Sequence, residues 1–260
     1  FIQTHRDQPL EVESKGFASQ ASDVVTKIDI EAQAIILEIL QPTIERYDLG
    51  LLAEEGKQDE SRLHKHAFWA IDPLDGTQCF IDGQAGYATS IALVSQEGKS
   101  ILGVVYDPVN NDLYETVIGR GVFLNGTVLK STKPQSNSSA SMTWFADQSL
   151  RSHPNFDQLE SHFVIRFIGG AVMNTLQLLT EPKSCYCKPP KKDLGGCAIW
   201  DLAAASLMLE ENLGSARFYD GSPLHLNRSE SVFFNDRGFA FTSAGVDSAA
   251  FLNRVKSIIS

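Results

Sequence analysis

Trp69-Ala70-Ile71-Asp72-Pro73-Leu74-Asp75-Gly76-Thr77 places two carboxylates, a proline and a glycine-threonine step at the end of an apolar segment. Pro73 fixes its own φ and biases Asp72 toward extended backbone. Gly76 lets the chain turn sharply and approach a ligand closely. Asp72 and Asp75 can then converge on one cation. A helix beginning near Gly76 would aim its free N–H groups and positive dipole end at the same place, which suits a phosphate. Ala67 to Ile71 reads as a buried strand that ends at Asp72.

Upstream, Ile30 to Leu40 has helix formers and a broad apolar face, with Thr26 as N-cap, Asp29 in the first turn and Pro42 as the stop. Leu51-Leu52-Ala53-Glu54-Glu55-Gly56 is an acidic pair after an apolar approach. Downstream, segments 86–96, 99–107, 112–118 and 121–124 read as strands, with Gly98 and Asn110-Asn111 supplying turns. The polar run 131–141 marks a join between two halves, 1–133 and 134–260. Beyond it, a strand at 141–146, a helix at 154–162, a strand at 163–168, and helices at 171–180 and 201–212 alternate in α/β fashion. The last opens on Trp200-Asp201, and its alanines permit close packing against a sheet.

Composition narrows the function. The 260 residues, 43% of them hydrophobic, can bury a real core. A formal charge of −10 argues against a nucleic-acid or anionic-membrane surface, both of which demand a basic face. An anionic substrate must be met locally, by metal ions or a few lysines. No apolar run approaches the ~20 residues needed to span a bilayer and no signal pattern opens the chain, so a cytoplasmic protein is expected. A start at Phe1 suggests the ordered part of a slightly longer chain. Four cysteines are too few for a disulfide framework, and Cys185-Tyr186-Cys187 lacks the partners of a zinc site. Cys79, beside the acidic motif, is a position where oxidation would disturb activity. None of the six histidines takes a role, and no Gly-x-Ser-x-Gly elbow supports a serine hydrolase.

Glu54, Asp72, Asp75 and Asp201 are hard oxygen donors of the kind that suit magnesium and shared phosphate oxygens. Together with Asp23-Val24-Val25-Thr26-Lys27-Ile28-Asp29 and Ile101-Leu102-Gly103-Val104-Val105-Tyr106-Asp107-Pro108, the motifs resemble the inositol monophosphatase superfamily of magnesium-dependent, often lithium-sensitive phosphatases. The matches run from Asp29 to about Pro223. The resemblance implies a layered α-β-α-β-α fold of the inositol monophosphatase and fructose-1,6-bisphosphatase type, with two or three Mg2+ ions held between the halves. It implies Glu54, Asp72 and the Leu74 carbonyl as ligands of one ion and Asp72, Asp75 and Asp201 as ligands of another. Asp29 and Thr77 take the place of the dyad that orients the attacking water, with Glu54 assisting; Asp75, Gly76 and Thr77 would cradle the phosphate, and Gly169, Gly170 and Ala171 lie where the family contacts substrate.

The chemistry fits. Phosphate-monoester hydrolysis needs its barrier lowered by on the order of 20 kcal/mol, which metals can supply and a lone acid or base cannot.

Substrate choice stays open. Inositol monophosphatases carry an acidic residue where this chain, by straight counting, has Leu194, although Asp193 could substitute if the loop shifts. The stretch Gly221 to Ser231 and Leu at position 74 look more like 3'(2'),5'-bisphosphate nucleotidases. Against that, Gln78-Cys79-Phe80 departs from that group, and Gly119 to Gly126 is shared with the inositol enzymes. Lys191 or Lys192, in the basic run Lys188-Pro189-Pro190-Lys191-Lys192, is a candidate for meeting a second phosphate. The leading expectation is a nucleotidase-like phosphatase of small phosphorylated substrates. An inositol monophosphatase and an inactive magnesium- or nucleotide-binding module are the alternatives, and a homodimer is left open.

Overall fold

The computed structural model describes residues 1–6, 12–14, 24–56, 60–132, 141–192 and 195–259. A short helix, α1 (Ile2–His5), and the pair β1 (Val12–Ser14) and β2 (Val24–Thr26) precede the long helix α2 (Lys27–Tyr47). The first sheet comprises β3 (Gly50–Ala53), β4 (Ala67–Asp75), β5 (Ala88–Ser95), β6 (Ser100–Asp107), β7 (Asp112–Val117), β8 (Val122–Leu124) and β9 (Thr127–Val128), side by side in that order. Only β3 and β4 run parallel; the rest is an antiparallel meander. Short helices α3 (Ser61–His64) and α4 (Thr77–Ile81) flank β4 in sequence.

The second sheet draws on later residues: β10 (Thr143–Ala146), β11 (Val164–Phe167), β12 (Ser184–Lys188), β13 (Ser215–Phe218) and β14 (Phe239–Thr242), in the order β11-β10-β12-β14-β13. Its helices are α5 (Phe156–His162), α6 (Ala171–Thr180), α7 (Ile199–Glu211) and α8 (Ser248–Ile259). Helices α6 and α7 pack on each other and reach both sheets, whereas α2 covers the outer face of the first sheet and α8 packs on β14.

The middle layer explains the sequence of α7. Ile199, Trp200 and every residue from Leu202 to Leu209 are buried, so the helix is apolar all round rather than amphipathic. Its alanines let it approach the first sheet: a Cβ on Gly103 would stand 3.0 Å from the Ala204 Cα. Ser90 and Ser100 donate to the Trp200 and Ala203 carbonyls at 3.1 and 2.7 Å. One core therefore serves both sheets, running from Phe68 and Val105 through Ala203 and Met208 to Tyr186 and Phe239.

Two boundaries differ from the sequence reading. Helix α2 continues through Pro42 to Tyr47. Gln41 and Pro42 are exposed, so the Glu38 carbonyl that loses its donor can be hydrated, and Thr43 Oγ1 donates to the Leu40 carbonyl at 2.7 Å. Trp69 Nε1 in turn donates to Thr43 Oγ1 at 3.0 Å, which fastens this end of the helix to β4. Strand β4 runs on past Asp72 to Asp75 because a bulge absorbs Pro73 and Leu74: Asp72 pairs with Ser90 and Asp75 with Ala88. Most of the inter-half run, 133–140, lies outside the described residues, as do Asp193 and Leu194. No helix among the described residues is long and apolar enough to cross a membrane.

Candidate active site

The bulge in β4 builds the site. The Leu74 N–H donates to Asp72 Oδ1 at 2.9 Å, closing a side-chain turn across Pro73, and Thr89 Oγ1 donates to the Pro73 carbonyl at 2.9 Å. Gly76 follows at φ 83°, in the left-handed region, and its absent Cβ would lie 2.6 Å from the Gly86 carbonyl oxygen. This turn starts α4 and delivers the Thr77 hydroxyl beside Leu74 and Asp29, with Thr77 Oγ1 3.0 Å from both the Leu74 carbonyl and Asp29 Oδ1. A single hydroxyl hydrogen serves one of these acceptors at a time. Asp29 and Thr77 are both buried.

Three carboxylates meet across separate elements. Glu54 follows β3, Asp72 lies in β4 and Asp201 stands in the first turn of α7; oxygens from all three lie within 4.8 Å of one another. Asp201 Oδ2 accepts the Ala198 N–H at 2.8 Å, so the same side chain caps its own helix. Burial, reinforced by the neighbouring carboxylates, pushes Asp72 and Asp201 well above the usual carboxylate range. A divalent cation would relieve that cost directly, and an all-oxygen donor set suits Mg2+. The Leu74 carbonyl already accepts from Thr77 and keeps a second lone pair.

Asp75 is held apart from this trio. Its Oδ1 accepts the Ala171 N–H at 3.1 Å and its Oδ2 the Val172 N–H at 2.8 Å, at the N-terminus of α6. Burial raises its pKa to about 7, against the lowering effect of those two N–H bonds. The carboxylate seats so closely that a Cβ on Gly170 would lie 2.2 Å from Asp75 Oδ2. Gly169, Gly170 and Ala171 line the cleft, but their N–H groups are not all free: that of Gly170 goes to the Gly86 carbonyl at 2.8 Å and that of Ala171 to Asp75.

These residues face a cleft of about 980 Å³. Its far wall includes Tyr186 and Lys188 of β12, Asp147 just after β10 and Lys191 beyond β12; Lys192 is exposed and is not among the lining residues. Cys79 lines the opposite side, half-buried, while Cys185 and Cys187 pack in the apolar cluster that also holds Phe251 and Val255 of α8.

Two positions escaped the sequence reading. Gln33, one turn beyond Asp29 in α2, donates through Nε2 to the Glu55 carbonyl at 2.5 Å and accepts the Glu55 N–H at 2.9 Å through Oε1. It fixes the backbone that carries Glu54. Its signal was present: Asp29 and Gln33 are spaced i, i+4, on the helix face that also buries Ile28 and Ala32. Lys188 forms an ion pair with Asp147 at 2.6 Å and donates to Cys197 Sγ at 3.2 Å.

Clustered carboxylates thus line a pocket set where two sheets and a central helix meet, an arrangement that suits the hydrolysis of phosphate esters. The chain belongs to the inositol monophosphatase family, whose profile matches residues 1–250, and it is accordingly a phosphatase of that family. It is 28% identical to the inositol-1-monophosphatase of Bacillus subtilis over 234 residues, covering 86% of this chain and 82% of that one. The Nus factor SuhB of Vibrio cholerae is 28% identical over 224 residues, 84% of this chain and 80% of its own. Among solved structures, the IMPase of Thermotoga maritima superposes with a TM-score of 0.78 at 24% identity, over 99% of this chain and 92% of that one.

Proposed function

We propose that this protein is a Mg2+-dependent phosphatase that hydrolyses a small phosphate monoester with an activated water. The convergence of Glu54, Asp72 and Asp201 beside the Thr77–Asp29 pair carries this reading. Glu54, Asp72 and the Leu74 carbonyl would hold one ion, and Asp72, Asp75 and Asp201 a second. Magnesium there supplies Lewis acidity, acidifying water and neutralising charge on the phosphoryl oxygens.

The chain's own groups do the rest. When Thr77 Oγ1 gives its hydrogen to Asp29, its oxygen is turned to accept from the attacking water and Asp29 is placed to take up the proton. Asp75, fixed by α6, keeps its remaining lone pairs for ion or substrate. The start of α4 offers its N–H groups to the phosphate.

Within this class the reading favours a 3'(2'),5'-bisphosphate nucleotidase-like activity, because Lys188 and Lys191 line the cleft. Inositol 1-phosphate is the second reading, favoured by what the curated relatives are named for. Homologous IMPase/NADP phosphatase structures, described as complexed with Mg2+ and phosphate and with NADP and Ca2+, are consistent with either. Phosphate release from adenosine 3',5'-bisphosphate, inositol 1-phosphate and fructose 1,6-bisphosphate, with Mg2+ and with or without Li+, tests the proposal. A preference for the first supports the nucleotidase reading. Absence of turnover on all three would mean a binding module instead.

A further inference from the structure

The active-site cleft does not end at its far wall. A side chamber of about 260 Å³ adjoins it, and the two share Asp147, Ser149, Ser152, Tyr186, Lys188, Pro189 and Lys191 as a common neck. Beyond the neck the chamber is walled by Ala146, Leu150, His153, Pro154 and Cys187. Its chemistry is thus split, with an apolar interior behind a charged entrance, a division typical of pockets that bury a ligand's body and orient it through a few polar groups.

The neck is a connected structure. Asp147 precedes the 3-10 turn Gln148–Ser152, and its Oδ1 accepts from both the backbone N–H and the hydroxyl of Ser149. Its Oδ2 pairs with Lys188 at the end of β12. Lys191 Nζ reaches Ser149 Oγ at 3.4 Å, and its backbone N–H is anchored to the Asn235 carbonyl at 2.7 Å. Lys188 and Asp147 keep only 21% and 18% of their side-chain surface exposed, so this pair is built into the wall. An ammonium group has three donors. Lys188 spends two, on Asp147 and Cys197, and keeps one. Asp147 cancels one of the two lysine charges, leaving the neck with one net positive charge opposite the carboxylates.

Resting on the phosphatase reading, we infer that Lys188 and Lys191 bind a second anionic group of the substrate at this neck while an apolar or ring-bearing part of the leaving alcohol fills the side chamber. The substrate class is therefore a phosphate ester whose alcohol carries both another phosphate-like anion and a compact hydrophobic body, as a nucleoside bisphosphate does. An acidic protein would otherwise repel such a polyanion; the neck meets the second charge away from the metal centre and aligns the ester with it.

Specificity ratios test this in the full chain with Mg2+. kcat/KM is compared for adenosine 3',5'-bisphosphate, adenosine 3'-monophosphate, which keeps the body but lacks the second anion, and glycerol 2-phosphate, which lacks both. Exposed Lys191→Ala, and the charge-balanced pair Lys188→Met with Asp147→Asn, are each expected to lower the bisphosphate-to-monophosphate ratio about tenfold or more, through KM. Pro154→Phe, which intrudes into the chamber from an exposed position that does not line the main cleft, is expected to lower the ratio of adenosine 3'-monophosphate to glycerol 2-phosphate by about tenfold. Ratios that stay within about twofold of the parent in variants with parental melting curves overturn the inference. If the parent hydrolyses none of the three, the phosphatase reading fails separately. Calorimetry then decides: adenosine 3',5'-bisphosphate binding that weakens about tenfold in Lys191→Ala supports the neck, and unchanged or undetectable binding overturns it.

Discussion

Gln33 grips the main chain of Glu55 from both sides, giving a hydrogen bond to its carbonyl and taking one from its N–H. The residue that positions Glu54 thus lies on the same helix as Asp29, and α2 sets two parts of the site at once. Gln33→Ala would remove two hydrogen bonds from the Glu55 main chain and loosen the Glu54 segment. A stability loss of about 1–3 kcal/mol is expected, with apparent Mg2+ affinity falling about tenfold. Magnesium titrations of activity alongside melting curves check this, and an unaltered titration would mean that Glu54 does not depend on the grip.

Thr77 offers a separable hydroxyl. Thr77→Ser retains the oxygen that links Asp29 and the Leu74 carbonyl, whereas Thr77→Val deletes it at nearly constant volume. The valine variant is expected to lose about 10²–10⁴ in kcat, with the serine variant near parental rates. Equal activity of serine and valine variants would remove Thr77 from the proposed chemistry.

Asp75 is bound by N–H donors, so Asp75→Asn replaces one accepting oxygen by an amide that faces a donor. Turnover is expected to fall at least about a hundredfold while melting shifts by only about 1–3 kcal/mol. Near-normal rates at saturating Mg2+ would take Asp75 out of the metal set. Gly170→Ala probes the same contact from the other side, because its methyl must displace the carboxylate; it is expected to lower activity and stability together.

The pH dependence of stability follows from raised carboxylates. Asp75, near 7 when folded against an ordinary 3.8, binds its proton more tightly in the native state, as do Asp72 and Asp201. Between these values the native state holds more protons than the unfolded chain, so stability falls as pH rises from about 4 to about 7. In chelator, the melting temperature is expected to decline across that interval. Mg2+ at about a hundred times its dissociation constant is expected to restore about 2.7 kcal/mol at neutral pH. A melting temperature indifferent to Mg2+ at pH 8 would contradict the cation site.

Local chemistry was legible where neighbours in sequence are neighbours in space. Asp72, Pro73, Asp75, Gly76 and Thr77 announce a turn and a carboxylate pair within one short run, and the structure forms that turn. Glu54 and Asp201 join Asp72 from distant elements, and only the resemblance to a family linked them beforehand. The bulge was hidden because Pro73 reads as a strand stop, while a bulge accommodates it. Strands β12 and β14 escaped because buried strands such as Phe239–Thr242 lack alternation, and Ser184–Lys188 reads as a cysteine cluster; β13 alternates but is only four residues long. Gln33 carried only its i, i+4 spacing from Asp29 as a signal, and nothing in the sequence named Glu55 as its partner. The Asp147–Lys188 pair, joined from the turn after β10 and the end of β12, leaves no periodic mark at all.

Because Asp201 stands at the head of a helix clamped by both sheets, the cluster's geometry is tied to interior packing far from any ligand. With the proposed cation in place, rigid mounting of this kind would make ion affinity an indirect gauge of core integrity: swapping Ala204 for a bulkier residue would tilt the helix and surface as a weakened response to magnesium before outright unfolding. Inherited variation in the alanine seam would then tune catalysis without touching a single ligand.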